Sequence, residues 1–288
     1  MTLPKLFSMS TSNQSYKQLT VPYFKEIFDI IDQIMISRGH PYYLIGANAV
    51  ALELLQDGIP PYRGTKDIDF AVMISNMDEY DDLMAEVVKN GFNAIKDVPH
   101  RVYHPGYNVA IDILPFGQVE QEFTVRFSDR KTELHVLGFS EVMKNPKEIK
   151  IEDATILIPP LPGMLLLKLV AWADRPDRRG HDIHDILRII ENYYDHNQNE
   201  ILEHHYDTFP EEEEEFDKRQ IGAQVLGREI KKYLDQSPEL AQNIKELIKQ
   251  NLVSPETSKV VKEWSRILDT SIDYALSILE ALKKGVEE

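Results

Sequence analysis

Apolar positions in the first half of the chain alternate between a helical and a strand period. Between residues 21 and 38, Phe24, Ile27, Phe28, Ile31, Ile34 and Met35 recur at helical spacing and Gly39 ends the run, which predicts an amphipathic helix. Residues 42–45 form a short apolar run, a predicted strand, and Gly46 turns the chain into a predicted helix over 47–56. The glycine- and proline-rich stretch 58–64 predicts a loop. Residues 67–73 predict a strand, 76–90 a helix stopped by Gly91, and 92–96 and 108–114 two more strands. Residues 123–127, 133–137 and 155–158 also read as strands. After Pro162 the pattern is helical, over 163–173, 182–193, 217–234, 238–252 and 258–284. Residues 1–18 are polar and aperiodic, which predicts a flexible arm. The expected fold class is α/β (α+β). A mixed-sheet α/β domain would span 19–160 and a helical bundle domain 161–288, with the boundary at the proline run 159–162.

Composition removes several function classes. The 288 residues include no cysteine, which excludes disulfides, zinc–thiolate sites, iron–sulfur clusters and a cysteine nucleophile. The 32 basic and 48 acidic residues leave a net charge of −16, so a broad electrostatic footprint for nucleic acid is not expected. A phosphate-bearing ligand would need a local basic cluster or metal ions. The most apolar stretch, 156–173, is interrupted by Pro159, Pro160, Pro162 and Lys168 and does not read as a membrane span. With no apolar signal core near Met1, a cytoplasmic protein without membrane partners is expected.

The sharpest chemical pattern is Thr65-Lys66-Asp67-Ile68-Asp69-Phe70. Side chains two apart on a strand share a face, so Asp67 and Asp69 should project together. Such carboxylates repel, and one pKa should rise unless a cation neutralises them. Magnesium or manganese suits that role, because hard cations prefer carboxylate oxygen. Asp112, inside the apolar run Val109-Ala-Ile-Asp112-Ile-Leu, supplies a third carboxylate. Three such groups on adjacent strands can hold two metal ions about 3.5–4 Å apart, a clamp used for phosphoryl transfer. Separately, each aspartate also reads as a solvated strand residue. Gly46 stands between a strand and a helix, where backbone N–H groups can receive an anion or simply form a turn. Lys168 lies in an apolar helix and needs a partner, either a phosphate or a nearby aspartate. Asp182 can cap the following helix, and Asp185 lies on nearly the same face. His181, His184, His204 and His205 read as surface histidines. Trp172 reads as core packing or as a platform for a base.

In this order the motifs resemble the polymerase-β-like nucleotidyltransferase superfamily, and within it the minimal nucleotidyltransferases and AbiEii-type toxins. The matching segments are Gly46-Ala-Asn-Ala-Val50, Arg63-Gly-Thr65-Lys-Asp67-Ile-Asp69-Phe and Ile111-Asp112-Ile-Leu. A fourth match starts at Lys168-Leu-Val-Ala171 and continues through Arg175 to His181-Asp182-Ile-His-Asp185. The resemblance implies transfer of a nucleoside monophosphate from an NTP to a hydroxyl-bearing acceptor, with release of pyrophosphate. Asp67, Asp69 and Asp112 would bind two Mg²⁺ or Mn²⁺ ions. Gly46, Ala47, Asn48, Arg63, Thr65 and Lys168 would bind the nucleotide, and Lys168 and Asp182 would also act in catalysis. The implied acceptors are tRNA, a protein or a small polyol, and a toxin would have a cognate antitoxin. Ala47 stands where many members of the superfamily carry serine at the phosphate turn. That difference keeps a second reading open: a weakly active or inactive nucleotide-binding or interaction module of the same fold.

Overall fold

A computed structural model describes residues 16–288 except 20, 62, 63, 66, 129, 130 and 212–214. Residues 16–18, the end of the expected arm, form a 3₁₀ turn with Tyr16 buried, and Leu19 is buried beside it. Helix α1 (Phe24–Arg38) buries the apolar stripe that its spacing predicts, and Gly39 closes it with a φ of 71° that favours glycine.

The central sheet has five strands in the order β1-β2-β5-β4-β3. These are β1 (Tyr42–Ile45), β2 (Asp67–Met73), β3 (Asn93–Ile95), β4 (Val98–His104) and β5 (Val109–Phe116). Only β2 and β5 are parallel, which makes the sheet mixed. Helix α2 (Gly46–Leu55) follows β1, and α3 (Met77–Lys89) links β2 to β3, capped by Asn76 accepting from the Glu79 N–H. Strand β4 is absent from the sequence reading. Its segment, Val-Pro-His-Arg-Val-Tyr-His, hides the apolar alternation behind polar and proline positions. The turn into β4 is marked by Asp97, which adopts a φ of 61°. Two small hairpins complete the first half: β6 (Thr124–Arg126) with β7 (Glu133–His135), and, after the short α4 (Phe139–Val142), β8 (Lys147–Ile151) with β9 (Ala154–Ile158). Strand β8 and helix α4 are further elements that periodicity does not show.

The remaining chain is helical: α5 (Leu161–Asp174), α6 (Gly180–His196), α7 (Gln198–His204), α8 (Lys218–Leu234), α9 (Pro238–Val253), α10 (Lys259–Leu268) and α11 (Ile272–Glu287). The single helix expected over 258–284 is two. Asp269 adopts a φ of 49°, and Ser271 accepts from the Tyr274 N–H to start the second helix. Gly227 and Gly285 let α8 and α11 touch backbone to backbone, since a Cβ on either would overlap main-chain atoms of the other helix.

The α/β half and the helical half are tied by a buried charge. Glu53 of α2 is 1% exposed and accepts from Lys147 of β8 and from His196 Nε2 of α6 at 2.9 Å. This fixes α2, whose first turn belongs to the site, against α6.

Candidate active site

Strand register assembles the site. Arg101 on β4 lies opposite Asp112 on β5, Asp112 opposite Asp69 on β2, and Asp69 opposite Ile45 on β1. Paired positions on neighbouring strands share a face, and Asp67, two residues before Asp69, joins it. One carboxylate oxygen from each of Asp67, Asp69 and Asp112 lies within 4.8 Å of the others. Ile68, Phe70 and Ile111 point to the other face and are fully buried.

Burial pushes the Asp69 carboxyl up to about 7, and the charges of Asp112 and Asp67 push the same way. Lys168 and Arg179 draw it back only in part. Three hard oxygen donors with one carboxyl short of positive charge fit a divalent cation of the Mg²⁺ or Mn²⁺ kind.

Gly46 sits beside this triad with a φ of 69°, and a Cβ there would overlap the Asp69 carboxylate. Helix α2 begins at Gly46 with no side-chain cap, so its first backbone N–H groups are available to an anion. Gly46 and Ala47 line the cleft above the triad. Asn48, expected at the phosphate cradle, does not line it. Asn48 is buried, and its amide donates to the Asp67 backbone oxygen at 2.9 Å, tying α2 to the start of β2. Thr65 Oγ1 donates to Asp67 Oδ1 at 2.6 Å and orients that carboxylate. Arg63 lies outside the described residues.

The opposite wall comes from α5 and α6. Lys168 Nζ bonds Asp185 Oδ2 at 2.7 Å and Asp182 Oδ1 at 3.2 Å, all three side chains being buried. The aspartate partner is therefore present, and there are two of them. Burial alone would push the Lys168 pKa down. The two carboxylates more than reverse this, and it lies above the usual lysine value. Asp182 does not cap α6: the helix starts at Gly180, and Asp182 is in its first turn. Among the described residues its Oδ2 has no hydrogen-bond partner, with Arg179 Nη1 at 3.6 Å. The cleft between the walls has a volume of about 400 Å³, with Arg178, Arg179 and His181 at one side and Leu134, Met164 and Leu167 giving it an apolar flank.

The sequence reading misses Arg101. It binds Asp112 through Nε to Oδ1 and Nη2 to Oδ2, both at 2.6 Å, and reaches Asp67 Oδ2 at 3.4 Å. The one available signal was a lone arginine in a segment between two predicted strands. Trp172 is buried and does not face the cleft. His184 pairs with Glu263 at 2.7 Å, whereas His181 faces the cleft. His205 converges with Glu200 and Glu229, but Arg228 and Lys232 already contact this group.

Residues 38–268 match a family model described as "Nucleotidyl transferase AbiEii toxin, Type IV TA system". No curated protein matches the chain. Among solved structures, the chain is similar to an antigenic nucleotidyltransferase-like protein from Paracoccidioides brasiliensis, at 15% identity and a TM-score of 0.41, covering 81% of this chain and 94% of that one. It is also similar to ANT(2")-Ia in complex with adenylyl-2"-tobramycin, at 13% identity and a TM-score of 0.40, covering 62% and 90%. A tRNA-processing enzyme in an apo form is similar at 13% identity and a TM-score of 0.29, covering 91% and 89%. No helix among the described residues is long and apolar enough to cross a membrane.

Proposed function

The chain belongs to the AbiEii nucleotidyltransferase family, and on that premise we propose that it is a metal-dependent enzyme using Asp67, Asp69 and Asp112 as its metal ligands. It moves a nucleoside monophosphate from an NTP to a hydroxyl of its acceptor and releases pyrophosphate. The observation that carries the reading is the convergence of three carboxylates beside the uncapped first turn of α2. A triphosphate laid along this turn would meet its backbone N–H groups, and Asp67, Asp69 and Asp112 would hold metal ions beside it. Bound metal would polarise the phosphoryl group and neutralise the developing charge.

The chain's own residues have distinct parts. Gly46 leaves room for Asp69 beside the helix start. Thr65 holds Asp67 in orientation. Asp112 receives the proton of the attacking hydroxyl or orients that hydroxyl. Lys168, kept charged by Asp182 and Asp185, supplies a fixed positive field that already reaches Asp69, and Arg178 and Arg179 offer charge to the phosphates. Asp182, whose Oδ2 accepts no hydrogen bond among the described residues, positions the second substrate. The acceptor is tRNA, a protein or a small polyol. The proposed role is that of a cytoplasmic toxin held in check by an antitoxin; the words toxin and TA system in the family description support the toxin part of this reading.

Titration calorimetry of the wild type and Asp69→Asn with each NTP, with and without Mg²⁺, tests the metal assignment. Asp69→Asn should lose about 10–100-fold of the metal-dependent part of NTP affinity. Equal metal-dependent binding by both proteins would contradict it. Metal-dependent binding without turnover on any acceptor would favour the inactive-module reading, which Ala47 motivates.

A further inference from the structure

We infer that Arg101 is an internal counter-ion that closes the carboxylate triad to metal and must be displaced when a divalent ion binds. This positioning role rests on the reading of the triad as a metal site. Three features of the structure carry it. The guanidinium takes both oxygens of Asp112 in a two-pronged bond and reaches an oxygen of Asp67 with the same Nη2. Among the described residues it donates no hydrogen bond to Asp69. Two of the three ligand carboxylates are therefore already engaged by one fixed cation.

Bonds of 2.6 Å from guanidinium to carboxylate are strong charge-assisted contacts. They take one acceptor site on each Asp112 oxygen, and a divalent ion beside the guanidinium meets like-charge repulsion. The two cations thus compete for Asp112 and Asp67. Arg101 is able to yield: its side chain is 35% exposed and lines the cleft, while the neighbouring Val102 is fully buried and anchors the strand. Withdrawal needs a rotamer change, not unpacking of the sheet.

The arrangement has two consequences. Without metal, Arg101 keeps Asp112 and Asp67 from splaying apart, so the ligands wait in place. With metal, the affinity of the site is set by exchange, and the threshold concentration of metal rises. No covalent bond changes in the exchange: the guanidinium hydrogen bonds to Asp112 and Asp67 break and metal–oxygen coordination takes their place.

The test is Mn²⁺ binding in the absence of nucleotide, followed by electron paramagnetic resonance on wild type, Arg101→Gln, Arg101→Lys and Asp67→Ala. Arg101→Gln should bind Mn²⁺ roughly tenfold or more tightly than the wild type. Arg101→Lys, a point charge that cannot span both Asp112 oxygens, should fall between them. In a transfer assay Arg101→Gln should reach half-maximal rate at a lower Mn²⁺ concentration than the wild type. Thermal melts identify which variants are folded. Absence of tightening in every folded Arg101 variant overturns the inference. Where wild type binds through Asp67 and the Arg101 variants bind equally, only the Arg101 inference falls. Where no variant shows Mn²⁺ binding that depends on Asp67, the metal reading of the triad falls with it.

Discussion

Replacing Gly46 by alanine should lower nucleotidyl transfer by about 10²-fold or more, because the damage falls on a charged group in the transition-state field. Two independent effects converge there. The φ of 69° is one that an L residue adopts only with strain, costing on the order of 1–3 kcal/mol. The added methyl would also overlap the Asp69 carboxylate, which is half-buried with Asp67 and Asp112 beside it. Asp69 would have to swing its carboxylate away from Gly46, which takes it out of the row that register builds across β1, β2, β5 and β4. Even a 1 Å displacement of a ligand is costly in such a site, with losses of about 10²-fold typical. The check is a transfer assay beside a thermal melt. Ala47→Ser, one residue on and facing the cleft, serves as control and should keep activity at or above wild type. Gly46→Ala with unchanged transfer would show that Asp69 does not act from its present position.

The largest expected effect on stability is that of Lys168→Met. Removing one partner of a buried ion cluster leaves the others uncompensated, and the loss should be about 3–5 kcal/mol at neutral pH. Here two buried carboxylates, Asp182 and Asp185, would be stranded. In the wild type the folded pKa of Lys168 lies above its unfolded value. Its contribution is thus complete below the unfolded lysine pKa and is lost as pH rises through the folded one. In the variant the sign falls on the carboxylates. Stranded in the fold they hold protons more tightly than in the unfolded chain, so the variant should regain stability as pH falls toward 4. Adding Asp185→Asn to Lys168→Met should restore part of the loss. Urea denaturation of the three proteins across pH reads these outcomes, and a loss below about 1 kcal/mol would mean the cluster is solvated.

The parts of the fold that the sequence made legible share a physical cause. Residues 67–73 are recognisable as β2 because apolar and acidic positions alternate and the apolar face is wholly buried. Helix α1 is legible through its stripe and its terminal glycine. Strand β4 is not legible, because Pro99 and His100 interrupt its pattern; they fall where the register to β3 shifts and before pairing to β5 begins at Arg101, so the strand accommodates them. Missing β4 meant missing Arg101, whose meaning depends wholly on register with Asp112. The break between α10 and α11 turns on one residue, Asp269, in a left-handed conformation that periodicity does not register. In the site, clustering of Asp67 and Asp69 follows from a two-residue strand repeat, whereas the inward burial of Asn48 follows from the position of α2 over β2. That contact joins elements separated by a loop, and no local pattern encodes it. An aspartate partner for Lys168 at Asp182 or Asp185 was legible in the sequence; that both serve follows from the start of α6 at Gly180, which leaves Asp182 inside the first turn and not at the cap.

The most direct test of the central claim uses each of the four NTPs labelled at the α-phosphate. The protein is incubated with Mg²⁺ or Mn²⁺ and with cell extract separated into RNA, protein and small molecules. The account predicts label in one fraction, released pyrophosphate in equal amount, and neither product with a chelator or with Asp67→Ala. Transfer that persists with Asp67→Ala, or a folded wild-type protein that binds the metal–NTP complex and labels no fraction, would contradict it.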